Sequence, residues 1–339
     1  MDLDLALLES YLRQHVAGFS GTLTGTRLSG GQSNPTYRLS AGGRDYVLRR
    51  KPFGQLLPSA HAIEREYRVM TALASTDVPV PRTYCLCADA TVIGSAFFVM
   101  EFMAGRVFAD PALPGCSAQE RTAMYSELNR VIAALHQVDF AAVGLANYGK
   151  HERFLERQID RWSRQYRASA TESIDAMDRL MEWLPRHLPP GEETTVVHGD
   201  LRVDNVVFHP TQPRLIAVLD WELSTLGHPL ADFAYHLMSW RLTPGEFRGL
   251  MGQDLRALGI PSEAETLAAY CRRTGREAIE HYDFYLVYNM FRLAAILQGI
   301  KARALAGNAS SADALETGNR ARVIAERSWH YVQQIRSNR

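Results

Sequence analysis

Three polar residues, Asp200, Asn205 and Asp220, sit in a stretch otherwise built of short apolar runs: Val196-Val197-His198-Gly199-Asp200-Leu201-Arg202-Val203-Asp204-Asn205-Val206-Val207-Phe208, then Leu215-Ile216-Ala217-Val218-Leu219-Asp220-Trp221-Glu222. Apolar runs of that length around a polar loop read as strand, loop, strand, turn and strand, which delivers the three side chains to one place. Two carboxylates and an amide suit phosphoryl transfer to a hydroxyl. That reaction asks the protein to position the partners and to neutralise spread negative charge. One carboxylate must accept or orient the hydroxyl proton, and an amide oxygen with a second carboxylate must hold a hard cation that demands oxygen ligands. The spacing H-x-D-x-x-x-x-N fits a kinase catalytic loop, with Gly199 where protein kinases usually carry Arg. Asp220 stands where the metal-binding Asp of D-F-G would be, with Trp221-Glu222 in place of Phe-Gly.

The combination resembles the aminoglycoside phosphotransferase/choline kinase superfamily, whose brace reads H-G-D-x-x-x-x-N followed by an apolar run and D-W or D-F. Among its members it is most similar to kinase-like domains found alone in bacteria or fused to acyl-CoA dehydrogenases. The resemblance implies ATP and Mg²⁺, with Asp200 as catalytic base, Asn205 and Asp220 as metal ligands and His198 as a packing residue. It also implies an α+β, two-lobe protein-kinase-like fold. A small antiparallel-sheet lobe over residues 1–103 would bind nucleotide, and a larger, mainly helical lobe over 104–339 would carry catalysis and the acceptor. A solvated turn between buried strands would account for a lone H-G-D, but not for Asn205 and Asp220 as well.

Several upstream elements must position these residues. Apolar spacing predicts a helix over 4–16, ended by Gly18. The segment Gly30-Gly31-Gln32-Ser33-Asn34 precedes a strand at 36–39 and a turn at Gly42-Gly43. Glycines let backbone amides approach phosphates closely, and the superfamily's G-G-x-S/T-N version implies phosphate contacts at Gly30, Gly31, Ser33 and Asn34. Residues 46–51 read as the third strand. Alternation puts Val47 and Arg49 on one face, so matching the V-A-I-K pattern places Val47 at the adenine and Arg49 in the lysine slot. Arginine keeps the charge but is not equivalent to lysine, and Lys51, on the same side, is the rival. A helix opened by Pro58-Ser59 aligns Ile63, Tyr67, Met70 and Ala74. Beside that stripe Glu66 matches the glutamate that pairs with the strand-three cation, while Glu64 and Glu66 could instead pair with Arg65 and Arg68 on the surface.

Val78-Pro79-Val80-Pro81 breaks that helix, and 83–87 and 96–100 read as strands. Residues 100–105 then resemble the hinge, where backbone groups around Glu101 to Met103 would read the adenine edge. Ser117-Ala118-Gln119-Glu120 is a capping box opening a helix that ends near His136, read as a helix-end histidine. Helices over 152–167 and 173–187 resemble the superfamily's acceptor-pocket insertion. Asp232 resembles the residue that braces the catalytic loop through backbone hydrogen bonds.

With 339 residues, 46% hydrophobic and 22% charged, the chain can bury a large core. Thirty-seven basic against 37 acidic residues favour neither nucleic acid nor an anionic membrane. The acidic start Met1-Asp2-Leu3-Asp4 does not look like a signal peptide, and residues 284–300, interrupted by Asn289, Arg292 and Gln298, read as a buried helix rather than a membrane span. Four cysteines without zinc or disulfide spacing fit a reducing cytoplasm. From Trp221 to Arg339 there are 12 acidic against 14 basic residues, which argues against polycationic antibiotics; choline, which needs an acidic or aromatic cage, is the less favoured acceptor too. An anionic or neutral hydroxylated small molecule fits better, with Arg202, Arg241, Arg272, Arg273 and Arg292 as candidate anion contacts. The dehydrogenase-fused relatives suggest a hydroxyacyl-CoA thioester or hydroxy acid. The competing reading is a nucleotide-binding pseudokinase, supported by Arg49 in the lysine slot and the missing D-F-G glycine. No oligomeric state follows from the sequence.

Overall fold

A computed structural model describes residues 3–28, 34–52, 62–308 and 311–337. Helix α1 (Leu5–His15) is capped by Asp4, whose carboxylate accepts the amides of Ala6 and Leu7, and ends just short of the expected bound. It leads into strands β1 (Thr24–Arg27), β2 (Thr36–Ala41) and β3 (Arg44–Arg50), then helix α2 (Ile63–Leu73), then β4 (Thr83–Cys87) and β5 (Phe97–Glu101). The five strands form one antiparallel sheet in the order β1-β2-β3-β5-β4. Strand β1, Thr-Gly-Thr-Arg, carries no apolar alternation, and no sequence signal marks it. Tyr46 and Leu48 of β3 pack under α1 with Leu8, Leu12 and Phe97. Val47, with Phe98 and Met100, packs on the opposite side against α2. The period of two therefore puts Arg49 on the α2 side.

Two expectations about α2 need correction. Its start at Ile63 lies beyond Pro58-Ser59, which falls outside the described residues. Its buried stripe is Ile63, Glu66, Val69, Met70 and Leu73, whereas Ala74 is exposed and Tyr67 half-buried. The stripe is rotated because Glu66 lies inside it, a carboxylate that apolar periodicity alone would push out.

The larger lobe begins with α3 (Ala118–His136), opened by the full Ser117/Glu120 capping box. Helices α4 (Phe154–Ser169) and α5 (Asp175–Trp183) follow, the latter finishing in a 3₁₀ turn at Leu184–Arg186. Two short antiparallel pairs carry the motif residues: β6 (Thr195–Val197) with β9 (Thr225–Gly227), and β7 (Val206–Phe208) with β8 (Leu215–Val218). The rest is helical: α6 (Pro229–Leu237), α7 (Pro244–Phe247), α8 (Leu255–Leu258), α9 (Glu263–Thr274), α10 (Tyr282–Leu305), α11 (Ala314–Asn319) and α12 (Ala321–Ser337). Between Phe284 and Gly299 helix α10 is buried on every face apart from half-buried Ile296. The amide nitrogens of its polar residues are bonded, Asn289 Nδ2 to the Ala231 and Tyr285 carbonyls and Gln298 Nε2 to the Ser169 carbonyl and the Thr171 hydroxyl, while their amide oxygens have no hydrogen-bond partner among the described residues. Among the described residues no helix is long and apolar enough to cross a membrane. All four cysteines are buried and unpaired. Sheet, α2 and helical bulk give the two-lobe α+β kinase-like architecture.

Candidate active site

The catalytic-loop candidates are held by backbone before any side chain acts. β7 pairs Val206 with Val218, so Asn205 and Leu219 stand side by side, and the Leu219 amide donates to the Asn205 carbonyl at 2.8 Å. Asp220 follows in the left-handed region at φ 65°, unusual for a residue with a side chain, and turns the chain into the 3₁₀ turn Trp221–Leu223. Trp221 is buried, donates its indole N–H to the Val218 carbonyl and lies 4.7 Å from the His198 ring. His198 is fully buried. Its Nε2 meets the Leu219 carbonyl at 2.8 Å and its Nδ1 accepts the Asp200 amide at 3.2 Å, which fixes the tautomer protonated at Nε2. Gly199 sits at φ 84°, and a Cβ there would lie 2.8 Å from the Leu223 carbonyl oxygen, so glycine is required where protein kinases carry Arg.

Asp232 of α6 supports the loop from below. Its carboxylate accepts the amides of His198 and Gly199 at 2.8 and 2.7 Å, and lies 3.2 Å from His136 Nε2. Burial alone would raise its pKa, but the His136 hydrogen bond and charge and the His198 amide outweigh it, and the net direction is down. His136, in turn, meets the Tyr270 hydroxyl at 2.8 Å. Arg292 of α10 donates to the Gly199 carbonyl, its guanidinium lying over the rings of Tyr235 and Trp162.

On this scaffold the Asp200 and Asn205 side chains meet. Asn205 Nδ2 donates to the Asp200 carbonyl and to its Oδ2 at 2.7 and 3.0 Å. With the amide nitrogen turned to Asp200, Asn205 Oδ1 faces away as an acceptor. Arg202 lies against Asp200 as well, 3.2 Å from Oδ1. Of the five candidate anion contacts, Arg241 is held by Glu263, Arg273 by Asn129 and Ser126, and Arg292 by Gly199.

The smaller lobe adds a second charged set. Arg49 Nη1 lies 3.2 Å from Glu66 Oε2, and its Nη2 lies 3.7 Å from Asp220 Oδ1, so one guanidinium spans both lobes. Asn34 Nδ2 donates to Glu66 Oε1 at 3.0 Å. Burial pushes Glu66 up to about 7, with Asp220 and Glu222 adding to the rise and Arg49 and Asn34 opposing it. Lys51 takes a different partner, Glu64 at 2.5 Å. The geometry thus groups Arg49, not Lys51, with Glu66 and Asp220. Gly30, Gly31 and Ser33 lie outside the described residues. At the hinge the Glu101 amide donates to the Arg82 carbonyl, and the Arg106 amide and carbonyl pair with Phe208 of β7. Val47 is buried against α2, and Met103 is half-buried beyond the end of β5.

The donor set fits Mg²⁺. An Asn oxygen and a partly exposed Asp carboxylate are hard ligands, and this ion keeps several waters and phosphate oxygens in its shell. Among the described residues no group of three or more His, Cys, Asp or Glu is placed to hold a metal alone, so phosphate oxygens would have to complete the shell.

Residues 24–285 match the phosphotransferase enzyme family. The chain belongs to that family. Acyl-CoA dehydrogenase family member 10 of Mus musculus is 46% identical over 336 residues, covering 97% of this chain and 31% of its own length. The chain spans 31% to 44% of the curated mammalian and avian relatives it matches. A crystallised Ralstonia eutropha protein assigned to the aminoglycoside phosphotransferases shares 55% identity at a TM-score of 0.90, over 98% of this chain and 99% of that one. The aminoglycoside phosphotransferase APH(4)-Ia, solved in ternary complex with ADP and hygromycin B, is 19% identical at a TM-score of 0.59, covering 94% of this chain and 98% of that one, and so shares the fold. The phosphotransferase family assignment agrees with the resemblance carried by His198, Gly199, Asp200, Asn205 and Asp220.

Proposed function

We propose that this phosphotransferase moves the γ-phosphoryl group of ATP to the hydroxyl of a small molecule, a hydroxy acid or hydroxyacyl-CoA. The observation that carries the reading is that Asn205 bonds Asp200 while Arg49 of β3 joins Glu66 of α2 to Asp220 in the other lobe, the two sets being linked by the backbone bond between Leu219 and Asn205. Asp200 accepts the acceptor proton as the acceptor oxygen bonds to phosphorus and the β–γ bridging oxygen leaves on ADP. Asn205 Oδ1 and the Asp220 carboxylate would hold Mg²⁺, which would neutralise phosphate charge. Arg49, oriented by Glu66 and Asn34, meets the phosphates with the Gly30, Gly31 and Ser33 segment. Val47 covers the adenine, whose edge is read by the Glu101 carbonyl and the Met103 amide at the junction between lobes, after residue 103.

The fused dehydrogenase in the longer relatives supports an acyl acceptor, since a domain shared with acyl-CoA chemistry meets hydroxylated acyl groups. Asp200→Asn tests the reading: turnover with hydroxy acids or hydroxyacyl thioesters should fall about a thousandfold, while MgATP affinity stays within a few-fold. Unchanged turnover would remove Asp200 from its role. Arg49 in the lysine slot favours a second reading, a regulatory pseudokinase. It would bind MgATP yet consume none across a panel of hydroxylated metabolites.

A further inference from the structure

Arg292 is a buried cation that no carboxylate among the described residues neutralises. It is 7% exposed, and its partners are the Gly199 carbonyl and the rings of Tyr235 and Trp162, whose centroids lie 4.9 and 5.5 Å from the guanidinium carbon. Arginine is almost never buried unless paired, because a carbonyl and two rings return only part of the hydration lost. The carboxylates around it are engaged elsewhere. Asp200 accepts from Arg202 and Asn205, and Asp232 from the amides of His198 and Gly199.

A second guanidinium stands on the same indole. Arg161 of α4 lies 5.2 Å from the Trp162 ring centroid, and it too has no carboxylate partner among the described residues. Its neighbours along that helix differ: Arg164 pairs with Asp160 at 2.9 Å, and Arg157 donates to the Lys150 carbonyl. Burial and the charge of Arg292 both hold Arg161 below the usual arginine range. The Tyr288 hydroxyl of α10 faces both arginines, and the Trp162 N–H is buried without a hydrogen-bond partner. Two like charges held on one ring repel, and an oxyanion received between them would offset both the repulsion and the lost hydration. The place is next to the assigned base. Tyr235 faces Asp200 as well as Arg292, and Arg292 holds the carbonyl of the residue that precedes Asp200.

We propose that Arg161 and Arg292 form an oxyanion subsite for the acceptor, holding a carboxylate of a hydroxy acid or a phosphate of a hydroxyacyl-CoA while the hydroxyl faces Asp200. The subsite rests on the phosphotransferase reading above and gives it a specificity device: a fork of two guanidiniums selects acceptors that carry an oxyanion. Arg292 also supports the catalytic loop through Gly199, whereas Arg161 touches no part of that loop among its recorded contacts, so Arg161 separates acceptor binding from loop architecture.

Three acceptors distinguish the two sources of the oxyanion: a free hydroxy acid, its CoA thioester, and its N-acetylcysteamine thioester, which carries neither carboxylate nor phosphate. Arg161→Gln should reduce the preference in kcat/KM for the charged acceptor over the N-acetylcysteamine thioester about ten-fold, mostly through KM. Arg161→Lys, which keeps the charge, should recover part of that preference. Arg164→Gln, on the same helix but already paired with Asp160, should leave the preference as it is in the parent. A loss confined to the hydroxy acid supports the subsite with a carboxylate as its occupant, and one confined to the CoA thioester supports it with a phosphate. An Arg161→Gln preference equal to the parent's, whether every acceptor suffers alike or none does, overturns the subsite and leaves the phosphotransferase reading standing. A parent protein that phosphorylates none of the three and consumes no MgATP overturns that reading, and the subsite with it.

Discussion

At Asp220 backbone conformation and chemistry conflict. A side chain at φ 65° costs of order 1 kcal/mol relative to glycine, and the carboxylate is retained there beside Arg49. Removing it as Asp220→Gly and as Asp220→Ala should abolish turnover equally, yet the glycine variant should be about 1 kcal/mol more stable than the alanine variant in urea unfolding. Equal stability of the two would mean that the left-handed turn is not maintained in solution. Asp200, Asn205 and Asp220 were legible in the sequence because their spacing is local and fixed by short strands. The Arg49 and Glu66 pair was legible only by matching a pattern, since 17 positions separate the partners and Arg49 and Lys51 share a face. The grip of Arg202 on Asp200 was not legible. Nothing in composition distinguishes it from the other four arginines, of which Arg241, Arg273 and Arg292 meet partners far away in the chain.

The catalytic loop, as an element, depends on buried polar groups more than on its own short strands. Asp232→Asn keeps the volume but removes the charge that faces two amides and His136, and should cost about 2–4 kcal/mol in urea unfolding with a matching loss of turnover. A cost under about 0.5 kcal/mol would exclude Asp232 as the brace. Acid should weaken the same region through its histidines. Burial lowers His228 and His236 from 6.5 to about 4, so below 6.5 the unfolded chain binds protons that the folded chain refuses, and stability falls as pH drops through that window. Each shift corresponds to at most about 3 kcal/mol. Unfolding midpoints should fall steeply between pH 7 and pH 4.5, and a flat profile would mean both histidines are solvated. Apolar period located α3, α10 and four of the five strands of the sheet, β2 to β5, but not β1. It failed where polar residues occupy core positions, as at Glu66 in α2, because the partner that stabilises them lies on another element.

Across the whole molecule the two lobes share one apolar core, since Val47, Phe98, Met100 and the inner face of α2 are continuous with the packing around α3 and α6. The two-lobe architecture could be expected from the motif order. The fastening between lobes could not, because its bonds join residues 83 and 159 positions apart. Arg65 of α2 donates to the carbonyls of Tyr148 and Ser224, with its guanidinium 4.2 Å from the Tyr148 ring centroid, and the Tyr148 hydroxyl bonds back to the Arg65 carbonyl and to Ser224. The Val218 amide, just before Asp220, donates to the Pro79 carbonyl from the other lobe. Helix α2 therefore carries Glu66 on one face and is bolted to the turn after Asp220 by its neighbour. A shift of α2 should move Arg49 and Asp220 apart. Arg65→Ala should cost about 1–2 kcal/mol in stability and lower ATP turnover about ten-fold, whereas Arg68→Ala, whose bonds to Gly144 and Asn147 lie on the exposed rim, should cost less than 1 kcal/mol and leave turnover within two-fold. Urea midpoints and steady-state turnover of the two variants side by side decide the matter. If both lose activity equally, the coupling runs through the helix surface in general rather than through the bolt at Arg65.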